Sequence, residues 1–206
     1  MKDNILDPDV NPAYGEAANL DMSYWEALEK KDLSSLPPRV IHDSRTKTLK
    51  VPFLNKIYEV DMRRREIRGS GLTFTLALVM IVYLLKCPIV LGKRWVTAKE
   101  LRGGDVFFHR SHPLSIDPIR EKFGYNASGL IKRGVELGGK PIPFGDGTVQ
   151  LEVLPGVSIR ITVWEGDDEV EPGVTILFPE GIDNFLPLDV IWGMVNLVVK
   201  EIISQQ

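Results

Sequence analysis

The stretch Val149-Gln150-Leu151-Glu152-Val153-Leu154-Pro155-Gly156-Val157-Ser158-Ile159-Arg160-Ile161-Thr162-Val163 decides the fold class. Successive side chains of a strand point to opposite faces, so each alternating half reads as a strand with one buried and one wet face. Pro155-Gly156 joins the halves. Proline presets φ at the first central position of a type II turn, and glycine tolerates the positive φ of the second. The segment is therefore an antiparallel hairpin, and Val174 to Phe178 supplies a third strand.

Beyond the hairpin, Leu188 to Ile203 carries a helical period. Leu188, Ile191, Trp192, Val195, Val198, Val199 and Ile202 fall on one side, and Asp189, Asn196 and Lys200 on the other. This predicts an amphipathic helix lying on the sheet. Before the hairpin, Asp117-Pro118 starts a helix that runs to Gly124, with an acidic N-cap and proline at the first turn. A further helix covers Ser128 to Leu137 and ends at Gly138-Gly139, and Thr97 to Leu101 reads as a single helical turn. Trp95, Trp164 and Trp192 lie on different elements and read as core.

The amino half begins with residues 1 to 21, rich in Asp, Asn and Pro and without periodicity, an expected flexible lead-in. Ser23 and Glu26 match a capping box opening a helix that Pro37-Pro38 stops. Between Arg39 and Val60 the period becomes two. Val40 to His42, Leu49 to Phe53 and Ile57 to Val60 form an expected meander, with Arg63, Arg64, Arg65 and Arg68 in a solvated turn beside it. Leu72 to Leu85 is apolar but runs for 14 residues, short of the roughly 20 that cross a bilayer. A buried helix is the reading, closed by Pro88 just after Cys87. The fold expected is α+β: a mainly antiparallel sheet with amphipathic and buried helices packed on it, in one domain over residues 22–206.

Composition narrows the class. The chain of 206 residues is 44% hydrophobic and carries a net charge of −3, which argues against a surface built to neutralise nucleic-acid phosphates. The single cysteine cannot form an internal disulfide, and the acidic amino terminus has no signal-peptide core, so a cytoplasmic protein that binds neither nucleic acid nor membrane is expected.

Three constellations bear on chemistry. His109 and His112, three residues apart with Asp105 and Asp117 nearby, could face one metal ion; the alternative is a polar surface loop. The acidic run 165–171 offers Asp167, Asp168 and Glu169 as oxygen ligands, yet lacks the spacing of a calcium loop and also reads as a solvated connection. The stretch from Gly138 to Gly147 contains glycines and Lys140 without the strand-to-helix context of a phosphate cradle. Cys87, at the end of the most apolar helix, reads as inert packing.

The run Val163-Trp164-Glu165-Gly166-Asp167-Asp168-Glu169, with Leu137-Gly138-Gly139, Pro155-Gly156-Val157, Ile176-Leu177-Phe178 and Leu186-Pro187, resembles a prokaryotic family known as a domain of unknown function with a "WEGDEE" signature. Pro52-Phe53-Leu54, Tyr58-Glu59-Val60 and Tyr83-Leu84-Leu85 extend the resemblance to roughly residues 22–200. The resemblance implies a setting in anaerobes, in corrinoid or one-carbon metabolism, with some members fused to a four-cysteine iron–sulfur domain. With one cysteine, this chain cannot hold a cluster by cysteines alone, so such a partner would act in trans. Two functions follow: a non-catalytic binding or accessory domain, or an enzyme with a site near His109, His112 and the acidic loop.

Overall fold

Residues 20–204 are described by the computed structural model. The lead-in expected over 1–21 lies, up to residue 19, outside the described residues. Two compact units make up the chain, Met1–Pro88 and Ile89–Gln206. Both sheets are antiparallel and both units carry helices, so the fold is α+β.

The first unit contains helix α1 (Met22–Lys30), capped two positions earlier than the Ser23–Glu26 pattern suggested: the Asp21 carboxylate accepts from the Ser23 amide at 2.8 Å. A four-stranded meander follows in the order β1 (Ile41–Asp43), β2 (Thr48–Phe53), β3 (Lys56–Asp61), β4 (Glu66–Arg68). The strand β4 had no alternation long enough to announce it. Leu49, Val51, Tyr58 and Val60 fill one face of the sheet. The arginine run is indeed a turn, and Asp61 organises it by accepting from the Arg63 and Arg64 amides, each at 3.0 Å. Helix α2 (Phe74–Lys86) starts at Thr73, whose hydroxyl accepts from the Leu76 amide. It is buried along most of its circumference, and its last carbonyls receive Lys31 Nζ, at 2.5 Å from Cys87 O. Burial also pushes the Cys87 thiol pKa up, which suits inert packing.

The second unit is built on a five-stranded sheet in the order β5-β9-β8-β7-β6. Its strands are β5 (Trp95–Thr97), β6 (Lys140–Ile142), β7 (Gly147–Leu154), β8 (Val157–Trp164) and β9 (Gly173–Pro179). The two edge strands were missed in the sequence because each spans three residues, and Pro141 is tolerated in β6 because an edge strand has one unpaired side. A short helix α3 (Gly104–Val106) runs into a π-helical turn over Phe107–Ser111; α4 (Asp117–Phe123), α5 (Ala127–Glu136) and α6 (Leu188–Ile203) follow. Helix α5 packs on β7 so closely that a Cβ on Gly134 would overlap Val149. This inner face buries Val149, Leu151, Ile159, Ile161 and Val163 completely.

Two expectations need correction. Helix α6 is not one-sided: Val190, Gly193, Met194 and Leu197 are buried beside Ile191, Val195, Val198 and Ile202. Its exposed stripe is narrow and carries Asp189 and Lys200, so the helix is amphipathic as expected but buried over more of its circumference. Nor is the second face of the hairpin plainly wet. Thr148 and Thr162 are buried there and share a hydrogen bond of 2.8 Å, because the loop after β6 folds over them. The positive φ of Gly145 brings that loop so close that a Cβ would lie 2.6 Å from Thr162 Cγ2.

Candidate functional site

Side-chain alternation and strand register assemble one surface from residues far apart in sequence. On the sheet face turned away from α5, β8 presents Ser158, Arg160, Thr162 and Trp164. Register places Gln150 opposite Arg160 on β7, and Leu177 opposite it on β9; Leu177 in turn faces Thr97 on β5, two residues from Trp95. The contacts confirm the placement. The Arg160 guanidinium carbon lies 4.0 Å from the Trp95 ring centroid, and its Nε donates to Gln150 Oε1 at 3.0 Å. Further along the same face, Trp164 and Phe144 meet edge to face at 5.4 Å between centroids, 44% and 53% exposed. Tryptophan is thus not core here; the tryptophan that is core is Trp25 of the first unit, 2% exposed.

The residues after Trp164 hold this surface rigid. Glu165 Oε1 accepts from the Ala127 amide at 2.6 Å, capping α5 from outside the helix, and the Glu165 amide donates to Asp146 Oδ2 at 2.8 Å. The Gly166 amide donates to Gly124 O, and a Cβ on Gly166 would crowd Tyr125 and Pro172. Asp167 closes its own turn by accepting from the Glu169 and Val170 amides, each at 2.8 Å, and these bonds hold its pKa below the usual carboxylate value. The signature run therefore clasps the exit of β8 to the α4–α5 connection. Asp168 and Glu169 are exposed beside it.

The histidines sit elsewhere in this unit. His109 is exposed on the π-helical turn. His112 stacks on Phe107 at 4.3 Å and meets the edge of Trp192 at 5.1 Å; its Nδ1 is buried without a hydrogen-bond partner. Trp192 is anchored in turn by its indole N–H to Pro113 O at 3.1 Å. Among the described residues, no three His, Cys, Asp or Glu side chains gather where they could hold a metal ion. Gly138, at φ +86°, ends α5, and Lys140 to Ile142 pair with β7, so the glycine-rich stretch serves as helix stop, edge strand and loop. In the first unit, a concavity of about 670 Å³ includes His42 with Glu29, Lys47 and Arg63 in its lining. A second, of about 590 Å³, is flanked by Asp43, Lys50 and Asp61. Both acids of the second are committed to backbone amides of their own turns.

Sequence reading missed Arg160 and Trp95 because it set them on unrelated segments. The available signal was Arg160 itself, a cation between Ser158 and Thr162 on the polar face of β8, opposite Gln150.

No described helix is long and apolar enough to cross a membrane. No curated protein and no solved structure matches the chain. One family model does, over residues 34–201, and by that match the chain belongs to the family described as domain of unknown function DUF3786.

Proposed function

We propose that the chain is a non-catalytic binding or accessory domain, cytoplasmic, that docks a protein partner on the outer face of its five-stranded sheet. The partner class is an iron–sulfur or corrinoid protein of anaerobic metabolism acting in trans, as the sequence resemblance implies. The observation that carries the docking reading is the pair Trp164 and Phe144, two large aromatic side chains held half exposed on a rigid clasp. Aromatic anchors of low conformational freedom dominate binding energy at protein interfaces, and this pair keeps about half of its surface open to a partner. The family match crosses both compact units, which supports treating residues 22–206 as one functional domain. The net charge of −3 favours a protein over nucleic acid as partner.

The test is binding of the full chain to a purified four-cysteine iron–sulfur protein and to a purified corrinoid protein. Binding to either should weaken at least about tenfold in Trp164→Ala and Phe144→Ala, since a hot-spot truncation costs more than about 1.4 kcal/mol, at unchanged melting temperature. Binding to neither, or equal affinity of the variants, would overturn the proposal. One observation favours the alternative, an enzyme with its site near His109 and His112: the buried, unpaired Nδ1 of His112 beside a π-helical turn, a geometry common at functional sites. A ring resonance of His112 that responds to a small substrate, and not to the partner proteins, would favour that reading.

A further inference from the structure

Arg160 is a partly buried arginine on the sheet of the second unit that meets no carboxylate among the described residues. Arg94, Arg102, Arg120 and Arg133 each meet a carboxylate, with Glu180, Asp183, Asp117 and Glu136 at 3.0, 3.3, 2.5 and 3.1 Å. Those four pairs include strongly exposed side chains, where an ion pair contributes little. Arg160 is partly buried and makes no ion pair among the described residues. Burial lowers its pKa without approaching neutrality, so it remains a cation with part of its hydration removed.

The guanidinium is nonetheless fixed in place. One face rests on Trp95 at 4.0 Å, and the Nε edge is held by Gln150 at 3.0 Å. Holding Nε leaves the terminal Nη edge, two parallel N–H groups whose spacing matches the two oxygens of a carboxylate. The face offers one guanidinium, so a singly charged carboxylate matches it in charge where a phosphate dianion would be left half neutralised. The Trp95 ring keeps water from one side, which strengthens the pair relative to an exposed one.

We propose that Arg160 is the electrostatic anchor of the docking surface and takes an Asp or Glu carboxylate from the partner protein, with Trp95 and Gln150 as positioning residues. The inference rests on the docking reading and names the chemistry of what docks. A partner presenting a carboxylate between apolar side chains would seat the acid on Arg160 and the apolar groups on Leu177, Trp164 and Phe144. The exposed acids Asp168 and Glu169 beyond Trp164 orient it, because they repel a second acidic group at that end.

The test follows the Arg160 Nε–H resonance of the full chain during titration with N-acetylglutamate amide. N-acetylglutamine amide is the neutral control and inorganic phosphate the competing anion. A saturable shift with the glutamate derivative alone is expected, of Arg160 Nε–H and of the Trp95 indole N–H that lies beside it. In the variants, which lack the guanidinium, the indole resonance is followed, and its response should be abolished in Arg160→Gln and weakened in Arg160→Lys, which keeps the charge but loses the fork. Both variants should melt with the parent protein. No shift, an equal shift with the glutamine derivative, or tighter binding of phosphate would each overturn the proposal. Failure here is separable from failure of the docking reading. If the partner proteins bind Arg160→Gln as well as the parent while Trp164→Ala still weakens them, the anchor is wrong and the surface stands. If the probe binds and no partner does, the surface reading falls and the carboxylate site remains.

Discussion

Gly156 shows how a single residue carries backbone geometry. Its φ is +80°, the value required at the second central position of the turn, and no atom lies within 4 Å of where a Cβ would stand. Substitution therefore strains the backbone without any steric clash. Gly156→Val should lose about 1–2 kcal/mol, read as a lower melting temperature; equal melting of the two proteins would remove the turn assignment. Gly134 is the opposite case, constrained by packing against Val149 and not by its backbone. Glu165 and Asp167 look alike in the sequence as members of an acidic run. In the structure one caps α5 and the other closes its own turn. The turn that Asp167 closes is a local pattern of amides two and three residues on, whereas the amide that Glu165 caps comes from a segment 38 residues away, and no local pattern contains that.

Helix α2 follows from its sequence with little ambiguity: Thr73 caps it, an uninterrupted apolar run fills it, and the approach to Pro88 stops it. Its apolar character on every side already says that it is surrounded. Leu84 has no exposed surface, so Leu84→Ala should cost about 2–5 kcal/mol by lost burial and a residual cavity, measured by chemical denaturation. A loss below about 1 kcal/mol would contradict the burial. Leu78, on the same helix, is only half-buried and serves as the milder comparison. Helix α6 was harder to read. Asp189, Asn196 and Lys200 mark a polar stripe, yet Asn196 is half-buried and pairs with Ser115 Oγ at 2.9 Å. A polar residue with a partner inside the fold looks, in sequence, like one facing water.

Across the whole molecule, carboxylates are used to organise turns and helix starts. Asp21, Asp32, Asp43, Asp61, Glu100 and Asp167 all have pKa values below their ordinary ones, chiefly through hydrogen bonds from nearby backbone amides or from serine and threonine. A depressed folded-state pKa contributes stability that is complete above the unfolded value and is lost as pH falls through the folded one. Melting temperature should thus be level from neutrality to about pH 5 and fall below about pH 4, where unfolded carboxylates take up protons. Asp61 permits a specific check, being buried while its carboxylate holds the turn after β3. Asp61→Asn keeps an acceptor oxygen but has no charge to titrate, so it should start lower and lose less between pH 5 and 3. A decline as steep as that of the parent would show that Asp61 does not contribute.

The sequence by itself determined the α+β class, the central hairpin and the helical segments, read at 72–85 and 188–203 and observed at 74–86 and 188–203. These features are local, set by periods of two or 3.6 and by turn chemistry within a few residues. The tertiary structure alone decided the three-residue strands β4, β5 and β6, which hydrogen bonding to neighbours stabilises and no period of their own announces. It alone decided that Glu165 of the run 165–171 reaches across to cap α5 while Asp168 and Glu169 stay exposed. It also brought Trp95 from β5 onto Arg160 of β8, some 65 residues later in the chain, because strand order, not sequence order, sets which side chains meet across a sheet.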